Sequence, residues 1–291
     1  MAISIVLFII LLSLSCLSVG IGVYFYCLFS YNTKPFYCES IQEENLKIPI
    51  EINDGVIELD TKILKTKDTS IPAPCVILCH GWTSNLNGLR FLQPLVLQGY
   101  ILIAYSSRGH GKSGGNRDFP EIYQDIIKVI DFFQQNENYG IDINRIAVIG
   151  FSMGGSIALN FAYLDERVKV VVGMSTVHNV KESYDQKKSI FSHPFWARSW
   201  LRLTGLSLKL TEEENRVASP KYYLSQSSNT KVFLIHSKDD PFVEFDNFEK
   251  NVALLGLPSN HTLVFEKGGH NLFHKECLII SQIIKWLKDY L

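Results

Sequence analysis

The chain has 291 residues, 46% of them hydrophobic and 20% charged, with a formal net charge of -1, long enough to bury a sizeable core in one large or two small domains. With no basic excess and no Lys/Arg cluster to neutralise phosphates, nucleic acid is excluded as a partner. Six cysteines (Cys16, Cys27, Cys38, Cys75, Cys79, Cys277) follow neither a disulfide framework nor a metal-ligand spacing, so they are expected reduced and buried, and no metal or cofactor is expected.

From Ala2 to Phe29 no residue is charged, and the first lysine is Lys34. A helix crossing the hydrocarbon core needs roughly 20 apolar residues. Residues 1–31 are therefore predicted to form a single uncleaved transmembrane anchor, with the bilayer as partner and 32–45 as a tether. Tyr24, Phe25, Tyr26, Phe29 and Tyr31 supply an aromatic belt at its end. A cleaved signal peptide fits less well, because there is no positive n-region and the apolar run is too long. Lys34 and Lys47 follow the span and no Lys or Arg precedes it, which leans toward a catalytic domain on the cytoplasmic side.

Residues 46–291 read as an α/β domain. Leu46 to Ile52 and Val56 to Leu64 alternate around Asn53-Asp54-Gly55, the pattern of a β-hairpin with a tight turn. Cys75 to Cys79 is a continuous apolar run, expected in a strand buried on both faces, with Cys75 and Cys79 on one face. It ends in His80-Gly81-Trp82, a loop placed to turn backbone N–H groups into a crevice at the sheet's carboxyl edge. His80 reads as a structural histidine that hydrogen-bonds this loop. Asn85 to Gln98 has helical spacing and stops before Gly99, a C-cap.

Ile101 to Tyr105 is a further buried strand. The loop from Ser106 to Gly115 is rich in glycine but matches neither a P-loop nor a dinucleotide fingerprint. It is expected to brace its neighbours, with Arg108 bonded to carbonyls. Phe119 to Asn136 predicts an amphipathic helix with Ile122, Ile126, Ile127, Ile130 and Phe133 on its apolar side. Strand and helix then alternate through Ile146 to Ala158 and Val168 to Met174, the rhythm of a parallel sheet covered by helices.

That rhythm breaks at about 176–229, a stretch rich in aromatics and leucines that predicts a helical cap lying over the sheet edge. Its apolar stripe serves either as core packing or as a substrate groove. The pattern resumes with Lys231 to His236, a helix around Phe245 to Leu255, a last strand from His261 to Phe265 and a closing helix from about Glu276 to Tyr290. His178, His193 and His274 are expected at the surface.

The chemistry centres on Gly150-Phe151-Ser152-Met153-Gly154. An apolar strand running into a serine flanked by glycines at minus two and plus two, with a helix following, is the sequence of a sharp nucleophile elbow. A serine hydroxyl is a weak nucleophile and needs a base, and the base needs an orienting acid. The order serine, acid after a late strand, histidine after the last strand is met by Ser152, Asp240 and His270. Asp239 competes with Asp240, which is preferred because Asp240-Pro241-Phe242-Val243 puts its carboxylate on the turn just past the strand. The N–H groups of Met153 and Trp82 are the candidate oxyanion donors.

Cys79-His80-Gly81-Trp82, Arg108-Gly109-His110-Gly111-Lys112-Ser113, Gly150 to Gly155, His236 to Asp240 and Gly269-His270 together resemble the α/β-hydrolase superfamily, and within it the serine aminopeptidase and monoacylglycerol-lipase-like group. The resemblance covers about residues 45 to 291. It implies a mostly parallel central sheet flanked by helices, a helical cap, and a serine hydrolase acting on a small-molecule ester or acyl substrate. One departure is Ser106, where members of the group often carry aspartate. With the predicted anchor, the expectation is a membrane-anchored esterase or lipase-like enzyme for apolar acyl chains. The alternatives are a serine peptidase or acyltransferase using the same triad, or a catalytically silent, membrane-tethered binding protein.

Overall fold

Alternation along the central strands decides which side chains enter which half of the core. In the computed structural model, which describes residues 38–185 and 210–291, β3 (Ala73–Cys79) sends Cys75, Ile77 and Cys79 to one face of the sheet and Val76 and Leu78 to the other. β4 (Ile101–Tyr105) splits in the same way, Ile101, Ile103 and Tyr105 against Leu102 and Ala104. A strand with a period of two and apolar residues at every position is stable only when both faces are covered. The covers are α1 (Phe119–Gln135) on the first face, and a 3-10 helix (Arg90–Gln98) with the C-terminal helix on the second. Along α1 the buried Ile122, Ile126, Val129, Ile130 and Phe133 recur at helical spacing. Each such fully buried side chain contributes about 1.5–3 kcal/mol.

The sheet has eight strands among the described residues. The remaining ones are β1 (Ile41–Ile52), β2 (Gly55–Thr66), β5 (Ile141–Phe151), β6 (Val168–Met174), β7 (Lys231–Ser237) and β8 (Thr262–Phe265). Their order is β1-β2-β4-β3-β5-β6-β7-β8, with β1 and β2 antiparallel additions and every pair from β4 onward parallel. Register then fixes the position of the site. Cys79 pairs with Gly150 and Gly150 with Gly173, while Ser237 pairs with Phe265. The chain segments leaving β3, β5, β6, β7 and β8 thus emerge side by side at one carboxyl edge, where open α/β sheets place ligands. The helices between and after them are α2 (Met153–Ile157), α3 (Val180–Asp185), α4 (Glu212–Ala218), α5 (Lys221–Leu224), α6 (Phe245–Leu255) and α7 (Glu276–Tyr290).

Three expectations change in detail. β1 begins at Ile41, inside the stretch read as tether, and pairs with β2 from Ile41↔Thr66 to Ile52↔Gly55. Gln42 to Asn45 are exposed on this edge strand, so backbone pairing holds them with no apolar alternation to announce it. The helix expected over 85–98 is a 3-10 helix that starts at Arg90 and contains Pro94, which lacks the N–H an α-helix would use there. Gly99 caps it at φ 88°, its N–H bonded to the Val96 carbonyl. The described ends of the cap insertion are helical, as α3, α4 and α5. Its middle, including His193, lies outside the described residues, as does the anchor expected at 1–31. Among the described residues no helix is long and apolar enough to cross a membrane.

Candidate active site

β5 ends at Phe151 and α2 begins at Met153, leaving Ser152 alone to reverse the chain at φ 54°, ψ -116°. A side chain held at positive φ costs on the order of 1–3 kcal/mol and persists only where its surroundings enforce it. Here they do. A Cβ on Gly150 would stand 1.9 Å from the Gly154 carbonyl oxygen, and one on Gly154 would stand 1.9 Å from that of Cys79. Strand and helix can therefore cross this closely only because both positions lack side chains. The Ser152 N–H donates to the Met174 carbonyl on β6 at 2.8 Å, fixing the elbow to the neighbouring strand. Beyond Ile157 the helix widens to π geometry over Ala158–Ala162, where the buried Asn160 amide donates to the Val217 carbonyl at 2.7 Å.

His270 comes from the loop after β8. Its Nδ1 lies 2.8 Å from Asp240 Oδ2 and its Nε2 lies 3.1 Å from Ser152 Oγ. An ionised carboxylate only accepts, so Nδ1–H donates to Asp240 and Nε2 is left to accept from the serine hydroxyl. Asp240 and His270 are both buried. The second Asp240 oxygen accepts the N–H groups of Phe242 at 2.8 Å and Val243 at 2.9 Å, a side-chain turn that aims the carboxylate. His236 holds the far end of this turn, with Nε2–H donating to the Val243 carbonyl at 2.9 Å. The rings of Phe151 and Phe242 lie 5.0 and 5.3 Å from the His270 ring and limit water around it. Asp239, the competing acid, bonds elsewhere: its Oδ1 accepts from the Ser237 hydroxyl and from the Gly268 and Gly269 N–H groups.

The loop after β3 passes directly beside the serine, a Cβ on Gly81 being only 3.5 Å from Ser152 Cβ. Trp82 follows on this loop. Met153 opens α2, and first-turn N–H groups have no partner within their own helix. His80 is structural, as expected. Its Nδ1–H donates to the Gly81 carbonyl at 2.7 Å, and its Nε2 accepts the Ser107 N–H at 2.9 Å. Burial, with His110 beside it, pulls His80 down to about 3, so it stays neutral and keeps this tautomer.

The glycine-rich loop does brace its neighbours, by different contacts from those expected. Arg108 forms a two-pronged ion pair with the buried Asp125 of α1, its Nε 2.7 Å from Oδ2 and its Nη2 on Oδ1. The carbonyl contacts belong instead to His110, whose Nε2 lies 2.6 Å from the Trp82 oxygen and whose Nδ1 lies 2.9 Å from that of Arg108; the neutral ring has one N–H and donates to one of the two at a time. Ser106, where relatives often carry aspartate, accepts the Leu86 N–H at 3.1 Å. Asp125 is buried on α1, and nothing local in the sequence marks its role or those of His110, His236 and Asp239. His178 is half-buried and bonded to Asn251 at 2.8 Å, contrary to a surface placement. His274 is exposed, in the turn before α7. Among the described residues no three His, Cys, Asp or Glu side chains converge on a metal position.

Residues 74–225 match the α/β-hydrolase fold family. An uncharacterised 31.7 kDa protein of Escherichia coli is 34% identical over 113 residues, which span 37% of this chain and 39% of that protein's length. A 2-hydroxy-6-oxononadienedioate/2-hydroxy-6-oxononatrienedioate hydrolase of Cupriavidus pinatubonensis is 23% identical over 280 residues, covering 80% of this chain and 91% of its own. Among solved structures, acetyl xylan esterase from Paenibacillus superposes with a TM-score of 0.66 at 19% identity, over 89% of this chain and 87% of the esterase.

Proposed function

We propose, from the premise that this chain belongs to the α/β-hydrolase family, that it is a membrane-anchored serine hydrolase cleaving carboxylic esters of apolar acyl groups. The observation that carries this reading is the unbroken line from Ser152 Oγ through His270 to Asp240, with links of 3.1 and 2.8 Å. Such a line moves a proton off a hydroxyl at neutral pH. An enzyme of this family with all three members in place is a better reading than a silent binding protein.

In the reaction, Ser152 Oγ attacks the ester carbonyl carbon while its proton passes to His270 Nε2. The imidazolium so formed is stabilised by Asp240, to which Nδ1–H continues to donate. The carbonyl oxygen becomes an oxyanion facing the N–H groups of Met153 and Trp82. Collapse expels the alcohol, which takes the proton from Nε2 and leaves an acyl group on Ser152. Water then repeats the sequence: Nε2 accepts its proton, the hydroxide oxygen adds to the acyl carbon, and Ser152 leaves with the proton returned by His270.

An apolar acyl chain is favoured by the aromatic surroundings of the base, Phe151 and Phe242, and by the uncharged run from Ala2 to Phe29, which would hold the enzyme beside lipid. A peptidase or an acyltransferase would use the same steps with another bond or acceptor, since the fold does not fix either. The test is twofold. A fluorophosphonate should label the full-length protein and not Ser152→Ala, and p-nitrophenyl esters of rising chain length should be cleaved better than aminoacyl amides. Labelling of Ser152→Ala would end the triad assignment, and a preference for amides would end the esterase reading. Release of the protein from membranes by alkaline carbonate would end the anchor.

A further inference from the structure

We propose that Asp239 is a positioning residue for the base, holding the Gly268-Gly269 backbone so that His270 meets both Ser152 and Asp240. The inference rests on the serine-hydrolase reading above. One carboxylate oxygen, Asp239 Oδ1, collects three donors: the Ser237 hydroxyl at 2.6 Å, the Gly268 N–H at 2.9 Å and the Gly269 N–H at 2.8 Å. Two of those donors belong to the two residues immediately before His270.

Packing holds only the first half of this backbone: a Cβ on Gly268 would stand 3.2 Å from Ser237 Oγ and 3.3 Å from Leu272 Cα, and the Phe273 N–H donates to the Gly268 carbonyl at 2.9 Å. Gly269 sits at φ 60°, and a Cβ built on it would meet nothing within 4 Å. Glycine samples many conformations at such a place, so polar contacts must select one. They come from both sides of the base: Asp239 grips the chain before it, and the Ser175 hydroxyl donates to the His270 carbonyl at 2.8 Å. Beside this clamp an exposed ion pair, Lys238 to Glu266 at 2.7 Å, joins the same two turns. Burial would raise the Asp239 carboxyl, yet the hydroxyl and the two N–H donors hold it below its ordinary value, so it works as a carboxylate. The adjacent aspartates thus divide one task, Asp240 orienting the imidazole ring and Asp239 the peptide that carries it.

The experiment compares kcat, KM and fluorophosphonate labelling rate for the full-length protein and its Asp239→Ala and Asp239→Asn variants on p-nitrophenyl butyrate, with thermal midpoints recorded. Misplacing a catalytic group by about 1 Å costs up to about 100-fold. Asp239→Ala should therefore lose about 10- to 100-fold in kcat and in labelling rate, with KM within about twofold. Asp239→Asn keeps an acceptor oxygen and should recover most of the loss. Asp239→Leu, similar in shape and without an acceptor, replaces the alanine variant if that one does not fold. Wild-type kcat in Asp239→Ala or Asp239→Leu, a loss confined to KM, or an asparagine no better than alanine would overturn the proposal. Absence of wild-type labelling, or labelling that persists in Ser152→Ala, would instead remove the serine-hydrolase reading beneath it.

Discussion

Two adjacent aspartates with different partners show how finely the candidate site depends on single atoms. Asp240 Oδ2 faces His270 Nδ1 while its other oxygen is occupied by two backbone N–H groups. In Asp240→Asn an amide group replaces the oxygen that fixes the imidazole tautomer, and Nε2 no longer reliably faces Ser152 as an acceptor. The expected result is a fall in kcat of about 10⁴-fold with little change in KM, read from steady-state kinetics; retention of more than about a tenth of the activity would remove Asp240 as the orienting acid. Gly154 makes the same point sterically. A methyl there would stand 1.9 Å from the Cys79 oxygen, and backbone cannot yield as a flexible side chain can. Gly154→Ala should cost at least the 1–3 kcal/mol of ordinary overpacking, measured by urea unfolding, and an unchanged midpoint would contradict the close approach of α2 to the end of β3.

At the scale of elements, the loop from Ser106 to Gly115 joins α1 to the candidate oxyanion loop. Arg108 is anchored on Asp125, and His110 bonds the Trp82 carbonyl two residues farther along. Both members of the ion pair are buried, so removing one strands the other charge, a loss of about 3–5 kcal/mol. Asp125→Leu should show that loss in urea unfolding, and adding Arg108→Met should recover much of it; if the double variant is no better than the single one, the pair is not what the loop depends on. His110→Ala should lower kcat more than it raises KM, because it frees the peptide next to the candidate oxyanion donor, and equal changes in both would separate His110 from that donor. These links were hidden in the sequence for a physical reason. β-branched runs and glycine-flanked turns announce β3, β4, β5 and the elbow locally, and strand register then brings Ser152, Asp240 and His270 together. The partners of Arg108, His110 and Asp239 depend on how a loop lies against a helix or another loop, which no local pattern records. The polar start of β1 was missed for a related reason, since Gln42 to Asn45 are exposed and only pairing makes them a strand.

For the whole molecule, the buried histidines set a pH limit distinct from catalysis. Burial is the first cause holding His80, His110, His178 and His236 below the ordinary imidazole value, His80 down to about 3. In the unfolded chain each returns to about 6.5. Below that pH the unfolded state therefore binds more protons than the folded one, and stability must rise with pH and fall on acidification. The carboxylates held below their usual range, such as Asp165, Glu182 and Asp239, have the same sign, but their contribution is lost only at lower pH, below about 4. Asp125, raised by burial, has the opposite sign, but it is one group against four imidazoles over the interval from about pH 7 to pH 5. Unfolding free energy measured in urea across that interval should decline steadily. His80→Gln, which keeps an acceptor for the Ser107 N–H, should show a shallower decline. A flat or rising profile in the wild type, or identical slopes in both proteins, would mean that these rings are not neutral in the folded core.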